Sequence, residues 1–227
     1  MSFVDDFDAE ALASVYRRSL SANAAQARMC LEKADLSLED FAVLISPAAA
    51  GLLEPLCQRA KAMTRRRFGN VIRMFAPIYI SNQCVNNCVY CGFARRNDIV
   101  RVTLTVDEVR REAQALASQG FRNLLLVASE HPKLVSSEYL AQCVAAIIDL
   151  SPAVSLEVAP MSTEDYLPIV KAGAEGLTVF QETYDQQLYP LLHPSGPKRD
   201  FRWRLGTPER AYAAGFRKLG LGALLGL

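Results

Sequence analysis

The sequence is short of charge of one sign. Lys and Arg number 25 against 24 Asp and Glu, a formal net charge of +1, and the longest basic block is RRR at 65–67. That balance removes the electrostatic footprint of a nucleic-acid binder, and the block reads as a solvated helix end. No apolar run reaches spanning length, so no membrane partner is expected. The opening MSFVDDFDAEALASVYRRSL is acidic before it is basic and has no long apolar core, unlike a secretory signal or a transit peptide. With no export signal, six unevenly placed cysteines read as reduced thiols in a cytoplasmic protein and not as a disulfide framework. What is present is a 227-residue chain, 51% hydrophobic and 22% charged, large enough for a sizeable core.

Two regimes of periodicity divide it. Residues 1–69 read as a helical extension: AEALASVYRRSL, NAAQARMCLEKA, SLEDFAVLIS opened by a Ser37 to Asp40 capping pattern, and a long segment from about Pro47 to Gly69. From Val71 the apolar run VIRMFAPIYIS reads as a strand leading into a cysteine-bearing loop. Thr105 and Glu108 then box the start of a helix ending at Gly120, and FRNLLLVAS is a strand. A helix over 136–150, the strand AVSLEVA, a helix capped by Ser162 and stopped at Gly173, and the strand GLTVF follow. A polar loop is expected over 181–206, then a short helix from Thr207 and Pro208 to Gly215 and a last strand.

Apolar strands alternating with helices imply an α/β fold of right-handed βαβ units on a parallel sheet. Polar and titratable residues gather just past strand ends, in SNQC, SEH, EVAP and QETY, where barrel active sites form. The expected architecture over 70–227 is therefore a partial TIM-type (β/α) barrel of about five strands. The final GALLGL has no polar tail and no following helix. An uncharged apolar edge is an aggregation hazard, so the chain is read as incomplete.

The stretch ISNQCVNNCVYCGF places Cys84, Cys88 and Cys91 in one loop with no fourth thiol nearby. Structural zinc takes four ligands, commonly in two pairs, and here only the distant His131, His193 or Cys143 would complete the set. A disulfide would strand one thiol. Packed core cysteines would follow an apolar stripe, whereas these lie among Asn82, Gln83, Asn86 and Asn87. A 4Fe-4S cubane held at three irons by Cys84, Cys88 and Cys91 accounts for the count and leaves the fourth iron open to a non-protein ligand. Cys30, Cys57 and Cys143 fall in helical, largely apolar stretches and are expected to be small buried hydrophobes.

C-x3-C-x2-C after the first strand, followed by Gly92 and Phe93, resembles the radical S-adenosylmethionine (SAM) superfamily. LISPAA, RRRFGN, PIYISNQCVNNCVYCGF, LLLVASEH, QETY, HPSGPKRDFRWRL and GLGALLGL extend the resemblance from about residue 36 to the end. Together they are similar to the aromatic-amino-acid lyase branch, and most of all to the 2-iminoacetate synthase family, the tyrosine lyases of thiamine-thiazole biosynthesis. The resemblance implies SAM chelated by the open iron, and one-electron cleavage of its sulfonium to methionine and a 5'-deoxyadenosyl radical. It implies L-tyrosine as substrate, split between Cα and Cβ into p-cresol and dehydroglycine. It also implies a thiazole synthase with its sulfur-carrier protein as partner, a flavodoxin-type electron donor, and a longer protein. The tyrosine lyase of hydrogenase maturation shares CVNNC-like and HPSGPK-like segments and stands as the alternative; from another class, so does a non-catalytic iron-sulfur-binding fragment.

Carried over residue by residue, the resemblance puts Tyr90, with the backbone of Gly92 and Phe93, near the adenine. Glu130 ends ASE where relatives have a Gly-Gly-Glu-like turn, and would meet the methionyl ammonium of SAM. Ala128 and Ser129 replace the glycines, so Ser129 or a backbone carbonyl is a substitute contact. Gln181, Glu182 and Tyr184 fall where relatives hold the ribose hydroxyls. Glu157, inside a parallel strand, is expected to face a polar cavity and join the cofactor-binding set, since burying an unpaired carboxylate is costly. Arg202 and Arg204 suit a carboxylate bidentately, while Lys198 and His193 are expected to have local roles.

Overall fold

The computed structural model describes residues 2–227. They form two compact units, one of Phe7–Ile72 and one of residues 2–6 with 73–227. A short first helix, α1 (Phe3–Asp6), packs with the larger unit, where Phe3 N–H donates to Glu209 and Asp5 pairs with Arg202 at 3.6 Å.

The smaller unit is helical, with α2 (Ala9–Ser21), α3 (Ala24–Glu32), α4 (Leu38–Leu44), a 3-10 turn (Pro47–Leu52) and α5 (Leu53–Phe68). Asp8 and Asn23 cap α2 and α3, and Ser37 with Asp40 forms the expected capping box on α4. These side chains satisfy helix N–H groups that have no partner within the helix. Ala27, Cys30, Val43, Leu44, Ala49 and Leu52 make the core of this unit. The Asp40 carboxylate accepts from Lys33 Nζ at 2.7 Å, from Ser37 N–H at 3.1 Å and from Cys30 Sγ at 3.3 Å. These donors, Lys33 foremost, hold it well below the usual carboxylate range. Cys57, expected to be buried, is exposed on α5. That helix contributes no buried residue, so a cysteine on it has nothing to pack beneath.

The larger unit continues with β1 (Ala76–Ser81), α6 (Val106–Ser118), β2 (Asn123–Ala128), α7 (Ser137–Ile147), β3 (Ala153–Glu157) and α8 (Thr163–Lys171). It ends with β4 (Ala174–Glu182), α9 (Tyr189–Leu192), α10 (Phe201–Leu205), α11 (Thr207–Ala214) and β5 (Lys218–Ala223). All neighbouring strands are parallel, in the order β1-β2-β3-β4-β5. A doubly wound sheet reverses its order at a switch point, whereas a barrel adds each strand beside the last. The unreversed order decides for barrel-type winding. Leu124, Leu126, Val154, Leu156 and Leu177 are 0–2% exposed and share a core with Val109, Leu140, Val144, Ile147 and Ile169 of the covering helices. Each such side chain contributes about 1.5–3 kcal/mol. Strand alternation turns the residues between them to the other face of the sheet.

Two expectations are corrected. The first strand starts at Ala76, paired with Leu124, because Val71, Ile72, Met74 and Phe75 are 59–82% exposed; apolar residues without a partner strand make no ladder. The expected loop over 181–206 contains the last residues of β4, then α9, a 3-10 turn (Pro197–Arg199) and α10. Pro190 in the first turn of α9 and Asp200, which caps α10 by accepting from Trp203 N–H at 2.8 Å, are the local signals. Among the described residues no single helix is long and apolar enough to cross a membrane.

Candidate active site

Past Ser81 the chain turns over the C-terminal ends of the strands as the cysteine loop. Arg101 anchors it at both ends, donating to the carbonyls of Asn82 and Phe93 (both 2.8 Å), Ala94 (2.7 Å) and Asn97 (3.0 Å). The end of α9 and the segment following it support its middle. Val89 N–H donates to Leu192 O at 3.0 Å, Asn87 N–H to Ser195 O at 3.3 Å, and Lys198 N–H to Asn86 Oδ1 at 2.9 Å. The turn after β2 holds a third point, with Val85 N–H donating to Glu130 O at 2.9 Å. Sequence reasoning passed over Arg101 and Asn86. The fork of five donors on an arginine just past the cysteine loop was the signal available for the first.

So held, the loop brings Cys84, Cys88 and Cys91 to the lining of one cavity of about 240 Å³. Tyr79, Tyr90 and Phe93 give it aromatic surface, and Ser129, Glu130, Glu157, Glu182, Lys198 and Arg204 give it polar and charged surface. All three thiols are free. Cys88 is 4% exposed, and burial pushes its thiol up. Among the described residues, no three or more His, Cys, Asp or Glu converge so as to hold a single metal ion. Three thiols on one lining suit a cluster that takes one sulfur per iron.

The carboxylates of the cavity differ. Glu182 pairs with Lys198 Nζ at 2.6 Å, both side chains 13–14% exposed. It has φ of +73° beyond a break in register between Phe180 and Glu182, a conformation that costs a residue with a side chain about 1–3 kcal/mol. Glu157 has no hydrogen-bond or ion-pair partner among the described residues. Burial pushes its carboxyl above the ordinary range, Glu182 adds to the rise, and Lys198 and Arg204 oppose it. Arg204 is 9% exposed and donates from Nε to Phe180 O at 2.7 Å, while Arg202 is an exposed residue paired with Asp5. Of the two arginines only Arg204 lines the cavity.

A family model described as the radical SAM superfamily matches residues 78–227. The chain belongs to the radical SAM superfamily. Over 204 residues, 90% of the chain, it is 44% identical to a 2-iminoacetate synthase of Salmonella typhimurium and 42% identical to one of Escherichia coli, each match covering 54% of the relative. The crystal structure of HydG, a maturase of the FeFe-hydrogenase, superposes with a TM-score of 0.89 at 32% identity, over 97% of this chain and 50% of that one. The chain thus spans about half the length of the curated relatives it matches. Membership of the radical SAM superfamily implies a 4Fe-4S cluster and SAM.

Around this radical SAM cavity the remaining expected residues divide. Tyr90 lends its ring to the lining, but its hydroxyl lies 2.7 Å from His193 Nε2. His193 is fully buried, with Nδ1 2.8 Å from Tyr189 O. Burial lowers it to about 4, so at neutral pH the ring donates from Nδ1 to the carbonyl and accepts at Nε2 from the Tyr90 hydroxyl. Gly92, Gln181 and Tyr184 fall outside the lining. The Gly92 carbonyl accepts from Asn97 Nδ2 at 2.9 Å, and Tyr184 is half-buried. Gln181, 3% exposed, donates to Phe201 O at 3.2 Å: β4 runs on through Glu182, so alternation turns Phe180 and Glu182 to the cavity and Gln181 away. On β5, Gly220 and Gly222 lie beside Thr178 and Phe180, and a Cβ at Gly222 would collide with the Phe180 ring.

Proposed function

We propose that this chain carries the cluster- and SAM-binding half of a tyrosine Cα–Cβ lyase of the 2-iminoacetate synthase type. The observation that carries the reading is the trio Cys84, Cys88 and Cys91 lining one cavity with Glu130, Glu157, Glu182 and Arg204 at the strand ends of a radical SAM fold. Two synthases at 44% and 42% identity supply the substrate class. Cys84, Cys88 and Cys91 would hold the 4Fe-4S cluster. With SAM bound there, the cluster supplies one-electron cleavage of the sulfonium and hence the hydrogen-atom abstraction that opens L-tyrosine to p-cresol and 2-iminoacetate.

The protein's own residues bind and orient. Glu130, with Ser129 beside it, receives the methionyl ammonium, and the terminal N–H groups of Arg204 suit a carboxylate. Glu157 and Glu182 serve the ribose hydroxyls, and Tyr90 and Phe93 border the adenine. A thiazole synthase with its sulfur-carrier protein, a flavodoxin-type electron donor and a cytoplasmic setting complete the proposal. Hydrogenase maturation stands second, supported by the likeness to HydG; its 32% identity ranks it behind the synthases at 44%.

Anaerobic reconstitution with iron and sulfide tests the cofactor half. About four irons per chain are expected, with nearly all lost in Cys84→Ala, Cys88→Ala or Cys91→Ala. A colourless protein carrying zinc, or full iron in Cys84→Ala, overturns it. The substrate half is tested on a protein that contains this chain at the relatives' full length, given SAM, dithionite and each aromatic amino acid. Mass spectrometry should find p-cresol from tyrosine alone, and an intact cluster with no p-cresol would reject that assignment.

A further inference from the structure

Asn86, between the first two thiols, is 2% exposed. Its Nδ2 donates to Glu130 Oε2 at 2.7 Å and, at 3.7 Å, to Cys84 Sγ, and its Oδ1 accepts from Lys198 N–H at 2.9 Å. One buried amide therefore ties together the cysteine loop, the turn after β2 and the segment before α10. The orientation of the amide follows from its partners: the atom facing a backbone N–H must be the oxygen, and the atom facing a carboxylate must be the NH2. Gly196 makes room for it. At φ of +91°, with a would-be Cβ 2.9 Å from Asn86 Cα, that position requires glycine by conformation and by space.

Two consequences meet at this amide. The Glu130 carboxylate takes no other hydrogen bond among the described residues, so Asn86 alone fixes its rotation. Lys198, held through its backbone by Asn86, pairs through Nζ with Glu182. We propose that Asn86 is a positioning residue that sets the Glu130 carboxylate in register with the thiol loop, so that the ammonium end of SAM meets an acceptor already in place; this rests on the cofactor reading above. A carboxylate in place of the amide would keep the bond from Lys198 N–H and set two negative charges against each other.

The test compares Asn86→Asp, Glu130→Gln and the double variant, which restores the hydrogen bond with donor and acceptor exchanged. In cluster-free protein, amide hydrogen exchange at Val85, Asn87 and Val89 should rise about tenfold in Asn86→Asp and return to within about threefold of the parent in the double variant. In reconstituted protein, the SAM-induced change in the electron paramagnetic resonance signal of the reduced cluster should need about tenfold more SAM in Asn86→Asp, with iron content largely kept. Parent-like exchange and SAM response in Asn86→Asp, or no recovery in the double variant, overturns the proposal. Should Asn86→Asp fail to fold, Glu130→Ala carries the test, and unchanged exchange at Val85 and Asn87 in it is equally fatal. A parent chain that takes up no iron refutes the cofactor reading instead, because the exchange arm is read without the cluster.

Discussion

Each unit of the chain sets a carboxylate among buried groups, and the two are shifted in opposite directions. In the helical unit Asp40 has three donors around it, from Lys33, Ser37 and Cys30, and its proton is driven off. In the sheet unit Glu157 has none, and burial favours keeping the proton. The cysteines divide the same way. Cys30 is packed and spends its S–H on Asp40, whereas Cys84, Cys88 and Cys91 line the cavity of a superfamily that implies metal chemistry. A scaffold satisfies its own buried polar groups. Glu157, left without donors at the end of a parallel strand, is one of the acids we propose for the incoming cofactor.

That contrast is open to attack at three strengths. The largest effect is expected from His193, buried beside the cavity under Tyr90 and Tyr189, with Lys198, Arg204 and Glu182 acting on it. Its folded value of about 4 lies below the ordinary 6.5, so as pH falls through that window the unfolded chain takes up a proton that the folded chain refuses. Stability is lost on the way down, by about 3 kcal/mol at the bottom of the window, and levels off below it. Urea denaturation of the cluster-free protein from pH 7 to pH 4 measures this, and His193→Gln should remove most of the slope.

Next in size, Asp40→Ala should cost the helical unit about 1–2 kcal/mol at neutral pH through the lost capping box and ion pair. Because the folded value is depressed, that contribution is present above the ordinary 3.8 and fades as pH falls below it. The smallest effect has the opposite sign. Glu157→Gln should stabilise the cluster-free fold by less than about 1 kcal/mol above pH 4.5, since a raised folded value means that ionisation works against folding. A destabilised Glu157→Gln in thermal melts would erase the distinction between the two acids.

The parts of this molecule that could be read in the sequence are those written within a few residues. The capping boxes of Ser37 with Asp40 and Thr105 with Glu108 are contiguous instructions, and both form. The apolar interiors of β2, β3 and β4 announce a two-sided parallel sheet. The cysteine trio is legible because its chemistry lies in one stretch. Pairings across loops are not written that way. Tyr90 meets His193, and Asn86 meets Glu130 and Lys198, only after strands distant in sequence have been laid side by side. QETY misled for a subtler reason: it reads as one polar loop, yet β4 continues through Glu182, and a period of two sends neighbours to opposite faces.

The bare inner side of β5 has a consequence of its own. Where Gly220 and Gly222 offer no side chains, Thr178 and Phe180 of the adjoining strand occupy the ground. The girth of the cavity there is thus specified by one strand and permitted by the next. A single methyl added at position 222 would be transmitted sideways as a displaced aromatic ring, leaving β5 itself unmarked. Variation in the two strands is yoked, and a larger residue on one demands a smaller one on the other.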